Sequence, residues 1–130
     1  MILADSSAWI DYLRHRATPA SAALRAAMLR DELRLCDPIV HELLTGARDV
    51  ANADRIARVI GAFTALPTVS GDWEAAAAIR RTARWQGLTI RSALDCLIAA
   101  IAIRTGATVL HNDADFDAIA RITALRATRG

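Results

Sequence analysis

Five short runs of apolar or β-branched residues, at 1–4, 33–36, 66–69, 107–111 and 123–128, are separated by intervals with helical spacing. This alternation is the strongest constraint on the fold, because strands joined through helices return most readily to parallel neighbours. It predicts an α/β domain with a short, mainly parallel sheet covered by helices. The first run, "MILA", ends at Asp5, and "SSAWIDYLRHR" follows with Ala8, Trp9, Tyr12 and Leu13 on one face. Residues 19–31 read as a second helix with Leu24, Met28 and Leu29 inward. "LRLC" (33–36) is closed by Asp37-Pro38. Pro38 suits the first helical position, so Asp37 reads as the N-cap of "PIVHELLTGA" and Gly46 as its C-cap. Helices at about 51–65 and 72–86 flank "LPTV" (66–69). A helix at 92–105 stops at Gly106 before "ATVLH" (107–111), and "DADFDAIARI" precedes the last run.

The chain has 130 residues, 54% of them hydrophobic, which fits one domain over 1–130 with a substantial core and argues against disorder. The longest apolar run, Cys96–Ile103, is about a third of a bilayer span. The start carries an acid at position 5 and no basic stretch, so it does not read as a secretory signal. The expectation is a soluble, cytoplasmic protein without a membrane partner. Cys36 and Cys96 sit 60 positions apart in apolar contexts, as buried free thiols do. All 16 basic residues are arginine. The absence of lysine excludes P-loop and Schiff-base chemistry, and the lysine that receiver domains and haloacid-dehalogenase-type phosphatases require. A net charge of +2 is only a weak hint of a polyanionic partner.

The helix at 92–105 raises the question of function. "SALDCLIAAIA" is apolar nearly all round yet carries Asp95, and an unpaired carboxylate away from water costs several kcal/mol. One answer is structural, since Ser92 and Asp95 have the spacing of a capping box. The other is collective. Asp5 and Asp113 each follow a strand, and Glu42 lies in an early turn of the helix after "LRLC". These three positions lie at the carboxyl edge of a parallel sheet, where α/β folds build their sites. The helix of Asp95 must run antiparallel to the strand it precedes, so its N-terminus reaches the same edge. Each acid alone has a bland reading: Asp5 and Asp113 as helix caps, Glu42 as a surface acid. Together they would repel one another by about 1 kcal/mol or more per pair at 4 Å, a penalty that a divalent cation removes. A water-accessible, all-oxygen site suits Mg²⁺ or Mn²⁺ rather than zinc.

The stretches "LADSSAWIDYL", "HELLTGA", "GLTIRSALDCLIAAIA" and "VLHNDADFDAIA" resemble, in order and spacing, the signature blocks of PIN-domain ribonucleases. More narrowly they resemble the VapC-type toxins of type II toxin–antitoxin modules, from residue 1 to the last strand. The resemblance implies a PIN-like three-layer α/β/α fold and an endoribonuclease that uses Mg²⁺ or Mn²⁺ to activate water. Asp5, Glu42, Asp95 and Asp113 match the family's catalytic acids, with Asp5, Asp95 and Asp113 as metal ligands and Glu42 as a ligand or a group orienting water. Asp115 matches an auxiliary acid, and Ser7 a hydrogen-bonding position beside the ligands. Departures are Ser6, where Thr is commoner, and His111, where Thr or Ser is frequent and where an altered substrate contact is the expected consequence. The implied partners are an RNA substrate, a cognate antitoxin and a second copy of the chain, with helices 19–31 and 72–86 as candidate surfaces.

Arginines fork onto phosphates, and Arg91, four residues before Asp95, is the expected phosphate contact. Arg80, Arg81 and Arg84 read more simply as a solvated helix face. "His41-Glu42-Leu-Leu-Thr45" lacks the second histidine of a zincin. The stretch from Asp113 lacks the glycine and terminal glutamate of an EF-hand, having Ala118 and Ala124 there. No G-x-S-x-G elbow or glycine-rich phosphate cradle is present. Trp9, Trp73 and Trp85 read as core or interface residues rather than stacking platforms. Two competing functions remain at this level: a PIN-like binding module with little catalysis, and a metal-dependent DNA 5′-nuclease or phosphatase. The complete set of acids weighs against the first, and the short chain against the second.

Overall fold

A computed structural model describes residues 1–130. The elements run β1 (Ile2–Ala4), α1 (Ser6–Leu13), α2 (Pro19–Leu29), β2 (Leu33–Cys36), α3 (Asp37–Thr45), α4 (Val50–Ile60) and β3 (Thr64–Leu66). They continue with α5 (Ser70–Trp85), α6 (Ala93–Thr105), β4 (Thr108–Leu110), α7 (Ala114–Ile122) and β5 (Ala127–Thr128). The five strands form one parallel sheet in the order β3-β2-β1-β4-β5, flanked by the seven helices in a PIN-like α/β/α arrangement. Chain order advances from β1 toward β3 on one side and jumps to β4 on the other. The gap between β1 and β4 is therefore the topological switch point, where the loops leaving the sheet diverge and open a crevice.

The core is built from short strands and one enclosed helix. Leu3, Ala4, Leu35, Cys36, Val109 and Leu110 are buried in the sheet, and every residue from Asp95 to Ala102 is buried in α6. The all-round apolarity of α6 is explained by its neighbours: it packs on α3, α5, α7 and β4, leaving little of its surface to water. Gly106 ends it at φ 77°, a left-handed conformation that favours glycine, and the Ala107 N–H donates back to the Ala102 carbonyl at 3.0 Å. On α1, Trp9 is fully buried and meets the edges of Tyr12 and Phe63. Cys36 and Cys96 are buried free thiols, and burial pushes them up to about 12 and about 11, so both stay protonated and unreactive.

Several local expectations shift. The third strand is Thr64–Leu66 rather than 66–69, because Pro67 has no N–H for a ladder. The last strand shortens to Ala127–Thr128. Asp37 lies inside the first turn of α3 behind Cys36, rather than capping it. Leu29 is exposed at the end of α2, and Trp73 and Trp85 are exposed on α5, so only Trp9 is a core tryptophan. No helix is long and apolar enough to cross a membrane.

One ion pair with a buried carboxylate and an exposed guanidinium ties α5 to α6, away from the acids discussed above. Asp72 is buried near the start of α5 and accepts from the Val69 N–H at 2.9 Å. Arg104 near the end of α6 reaches the two Asp72 oxygens at 2.8 and 2.9 Å. Arg104→Met removes the partner of a buried carboxylate. It is expected to cost about 1–3 kcal/mol in urea unfolding, the cost of a buried group left without its partner. Unchanged stability would show that the pair holds nothing.

Candidate metal centre

Four segments distant in sequence deliver carboxylates to the crevice between β1 and β4. Asp5 leaves β1 and donates its backbone N–H to the Leu110 carbonyl at 2.8 Å, which sets it beside the end of β4. Its Oδ2 caps α1, accepting from the Ser7 N–H at 3.1 Å and the Ser7 hydroxyl at 2.7 Å. The Ser7 oxygen in turn accepts from the Asn112 N–H at 2.9 Å, so one hydroxyl links the loops leaving β1 and β4. Asp113 caps α7, its Oδ1 accepting from the Asp115 N–H at 2.9 Å. The cap readings of Asp5 and Asp113 thus hold, and each uses only part of the carboxylate.

The capping box expected of Ser92 and Asp95 does not form. Ser92 makes no side-chain cap bond, and Asp95 is joined to it only through the backbone. Instead Asp115 reaches across from α7, its Oδ2 accepting from the N–H groups of Arg91 at 3.0 Å and Ser92 at 3.3 Å. The N-terminus of α6 is capped by an acid more than 20 residues away, and Asp95 Oδ2 is left without a partner. The sequence gives no signal for this exchange.

Two groups of acids result. Oxygens of Asp5, Glu42 and Asp95 lie within 4.8 Å of one another, and so do those of Asp95, Asp113 and Asp115. Asp95 belongs to both. Asp5, Asp95 and Asp115 are buried, while Glu42 and Asp113 are partly open to solvent. Asp5 Oδ1, Glu42 Oε1 and Asp95 Oδ2 are buried with no hydrogen-bond partner in the protein. Unpaired buried carboxylate oxygens are rare because each forfeits its hydration.

The electrostatics follow from that geometry. Burial pushes the Asp95 carboxyl up to about 9, reinforced by the charges of Asp5 and Asp113. Glu42 rises to about 7, first through burial and then through Asp5 and Asp113. Asp5 is raised by burial, against the opposing hydrogen bonds from Ser7. By itself the protein therefore holds protons at this site near neutral pH. A cation bound among these oxygens would replace the protons and restore the ligation that the orphaned atoms lack. The donor set is entirely oxygen, which suits a hard divalent ion.

Arg91, the expected phosphate contact, lies over the second group, 3.4 Å from Asp113 Oδ1 and 3.5 Å from Asp115 Oδ1, with a largely exposed side chain. His111 is fully buried and its Nδ1 accepts from the Asp113 N–H at 3.2 Å, so it shapes the loop after β4 and has no surface for substrate. Asp11 is a further acid at this edge that none of the motifs above singles out. It is buried on α1 and accepts from Thr18 Oγ1 and Asn112 Nδ2, both at 3.0 Å, bracing the same loop. Its place four residues after Ser7, on the same helical face, was the available signal.

The chain matches the PIN domain family over residues 2–122. It is 45% identical to the ribonuclease VapC11 of Mycobacterium tuberculosis over 130 residues, covering 98% of this chain and 97% of that protein. It is also 45% identical, with the same coverage, to the VapC ribonuclease Mb1587 of Mycobacterium bovis. Among solved structures it superposes on VapBC2 from Rickettsia felis bound to a promoter DNA fragment. That match has a TM-score of 0.79, 17% identity and 98% coverage of both chains.

Proposed function

The chain belongs to the PIN-domain family and, within it, to the VapC ribonucleases, and from this we propose that it is a metal-dependent endoribonuclease, the toxin of a toxin–antitoxin pair. The observation that carries the reading is the pair of acid groups sharing Asp95, with three buried carboxylate oxygens that no protein group satisfies. Asp5, Asp95 and Asp113 are the residues to hold Mg²⁺ or Mn²⁺. Glu42 completes the first group, and Asp115 supports the second while capping α6. When bound, such an ion polarises a scissile phosphate and lowers the pKa of water. Ser7 holds Asp5 in one rotamer and ties it to the loop carrying Asp113. Glu42 stands at the solvent-facing side of the first group, placed to orient attacking water or take its proton. Arg91 has an exposed guanidinium at the edge of the acids, where it can pass from Asp113 and Asp115 to a substrate phosphate.

In this reading residues 1–130 work as one PIN-like domain in the cytoplasm, held in check by a cognate antitoxin protein. Self-association as a homodimer is part of the proposal, supported by the exposed Trp73 and Trp85 on α5. The test is incubation of the purified protein with total RNA in Mg²⁺, in Mn²⁺ and in chelator, followed by mapping of new ends. Metal-dependent cuts at defined internal sites are expected, with single-stranded DNA left intact. No cutting of any RNA would favour the binding-module reading, and preferential cutting of DNA the DNA-nuclease reading.

A further inference from the structure

The carboxylates that would bind metal also repel the substrate, since RNA carries a charge on every phosphate. Affinity for RNA must therefore come from cations outside the acid groups. A cleft of about 900 Å³ lies between α1, α3 and α4, and Glu42 of the first acid group forms part of its wall. Arg14, Arg25, Arg48 and Arg55 also line it, from four different segments, and none of the four is paired with a carboxylate. Glu42 is the only acid in the lining, and Ile10, Leu13, Leu43, Ile56 and Val59 give the cleft an apolar wall beneath the arginines. Arg25 stands over the Tyr12 ring, 5.8 Å from its centre, so the cleft also presents an aromatic side chain.

Resting on the ribonuclease reading above, we propose that this cleft is the path of single-stranded RNA, its arginines gripping the phosphates that flank the bond presented at Glu42. A basic groove with an aromatic side chain is how proteins hold single strands without reading sequence. Uncompensated like charges converging on one cleft repel, and a polyanion relieves that repulsion along its length. The four unpaired arginines and continuity with Glu42 commit the cleft to RNA, and a protein segment is the occupant that the test sets against it.

The experiment is fluorescence-anisotropy binding of a short labelled single-stranded RNA in chelator, where nothing is cut, over a range of salt concentrations. Arg48→Ala/Arg55→Ala is expected to weaken binding about tenfold or more and to lower the slope of log affinity against log salt by about 1.4, about 0.7 per lost phosphate contact. Arg48→Lys/Arg55→Lys should restore most of that slope, because the charge returns. Arg121→Ala, removing an unpaired arginine at the far end of α7, should bind as the unaltered protein does. Both changed positions are exposed, and an unchanged thermal midpoint and Mn²⁺ affinity verify that fold and acid site survive. If the alanine pair binds RNA with unchanged affinity and slope, the inference is overturned and the cleft passes to a protein occupant. If the unaltered protein binds no RNA at all, the ribonuclease reading falls and this inference with it.

Discussion

Asp95→Asn is expected to reduce RNA cleavage by at least about a thousandfold while making the metal-free protein more stable. The loss follows from position, because Asp95 alone belongs to both acid groups. Removing it disables either arrangement, and the missing charge is worth several kcal/mol of transition-state stabilisation. The gain follows from burial. Asp95 is pushed up to about 9 by desolvation and then by neighbouring acids, so at neutral pH folding must carry a proton into the site. Asparagine has nearly the same shape and needs no proton. Sparing the fold that protonation should add about 1–3 kcal/mol, roughly 3–10 °C in thermal midpoint for a chain of this size. Cleavage assays and thermal melts in chelator read the two effects separately. Retained cleavage at the same metal concentration would remove Asp95 from the site, and a lower midpoint would mean the carboxylate holds the fold rather than burdening it.

The second large effect couples pH to metal. In the unfolded chain Glu42 and Asp95 titrate near the ordinary carboxyl values of 4.5 and 3.8, whereas in the fold they titrate at about 7 and about 9. Between these limits the folded protein keeps protons that the unfolded chain has released. Stability in chelator must therefore fall as pH rises from about 4 to about 9, with the penalty absent below and complete above. Bound metal takes the place of those protons, so its affinity should climb over the same range. Ion at 100 times its Kd adds about 2.7 kcal/mol. The expected result is a pair of midpoint-against-pH curves, in chelator and in saturating Mn²⁺, that diverge steadily above pH 5. Metal addition to weakly buffered protein should release protons near neutrality. Parallel curves, or metal uptake without proton release, would show that the carboxyls are not the metal's ligands.

The sequence conveyed much of this site because its acids occupy positions that local rules describe. Asp5 and Asp113 are helix N-caps directly after strands, and both readings follow from the residue type and the runs beside it. The same rules misled at Ser92. A capping box there is chemically sound, yet Asp115 arrives from α7 with a carboxylate that satisfies the Ser92 and Arg91 N–H groups. Competition between a near and a distant acceptor is decided by packing, which near-neighbour spacing does not encode. His111 and Leu29 err similarly: the first is covered by the elements around β4, and the second faces solvent where its helix ends.

The amino-acid sequence by itself determined the alternation of strands and helices, the all-round apolar α6, and the placing of acids at element ends. These depend on periodicity and capping among neighbours a few residues apart. Only the tertiary structure decided that β4 inserts beside β1, which opens the crevice and gathers Asp5 with Glu42, and Asp113 with Asp115, around a shared Asp95. It also decided which carboxylate oxygens went unsatisfied and which arginines gathered without partners. The reason is physical: a charge is compensated or left bare by whatever the whole fold brings within a few ångströms of it, and that set of neighbours exists only once the chain has closed on itself.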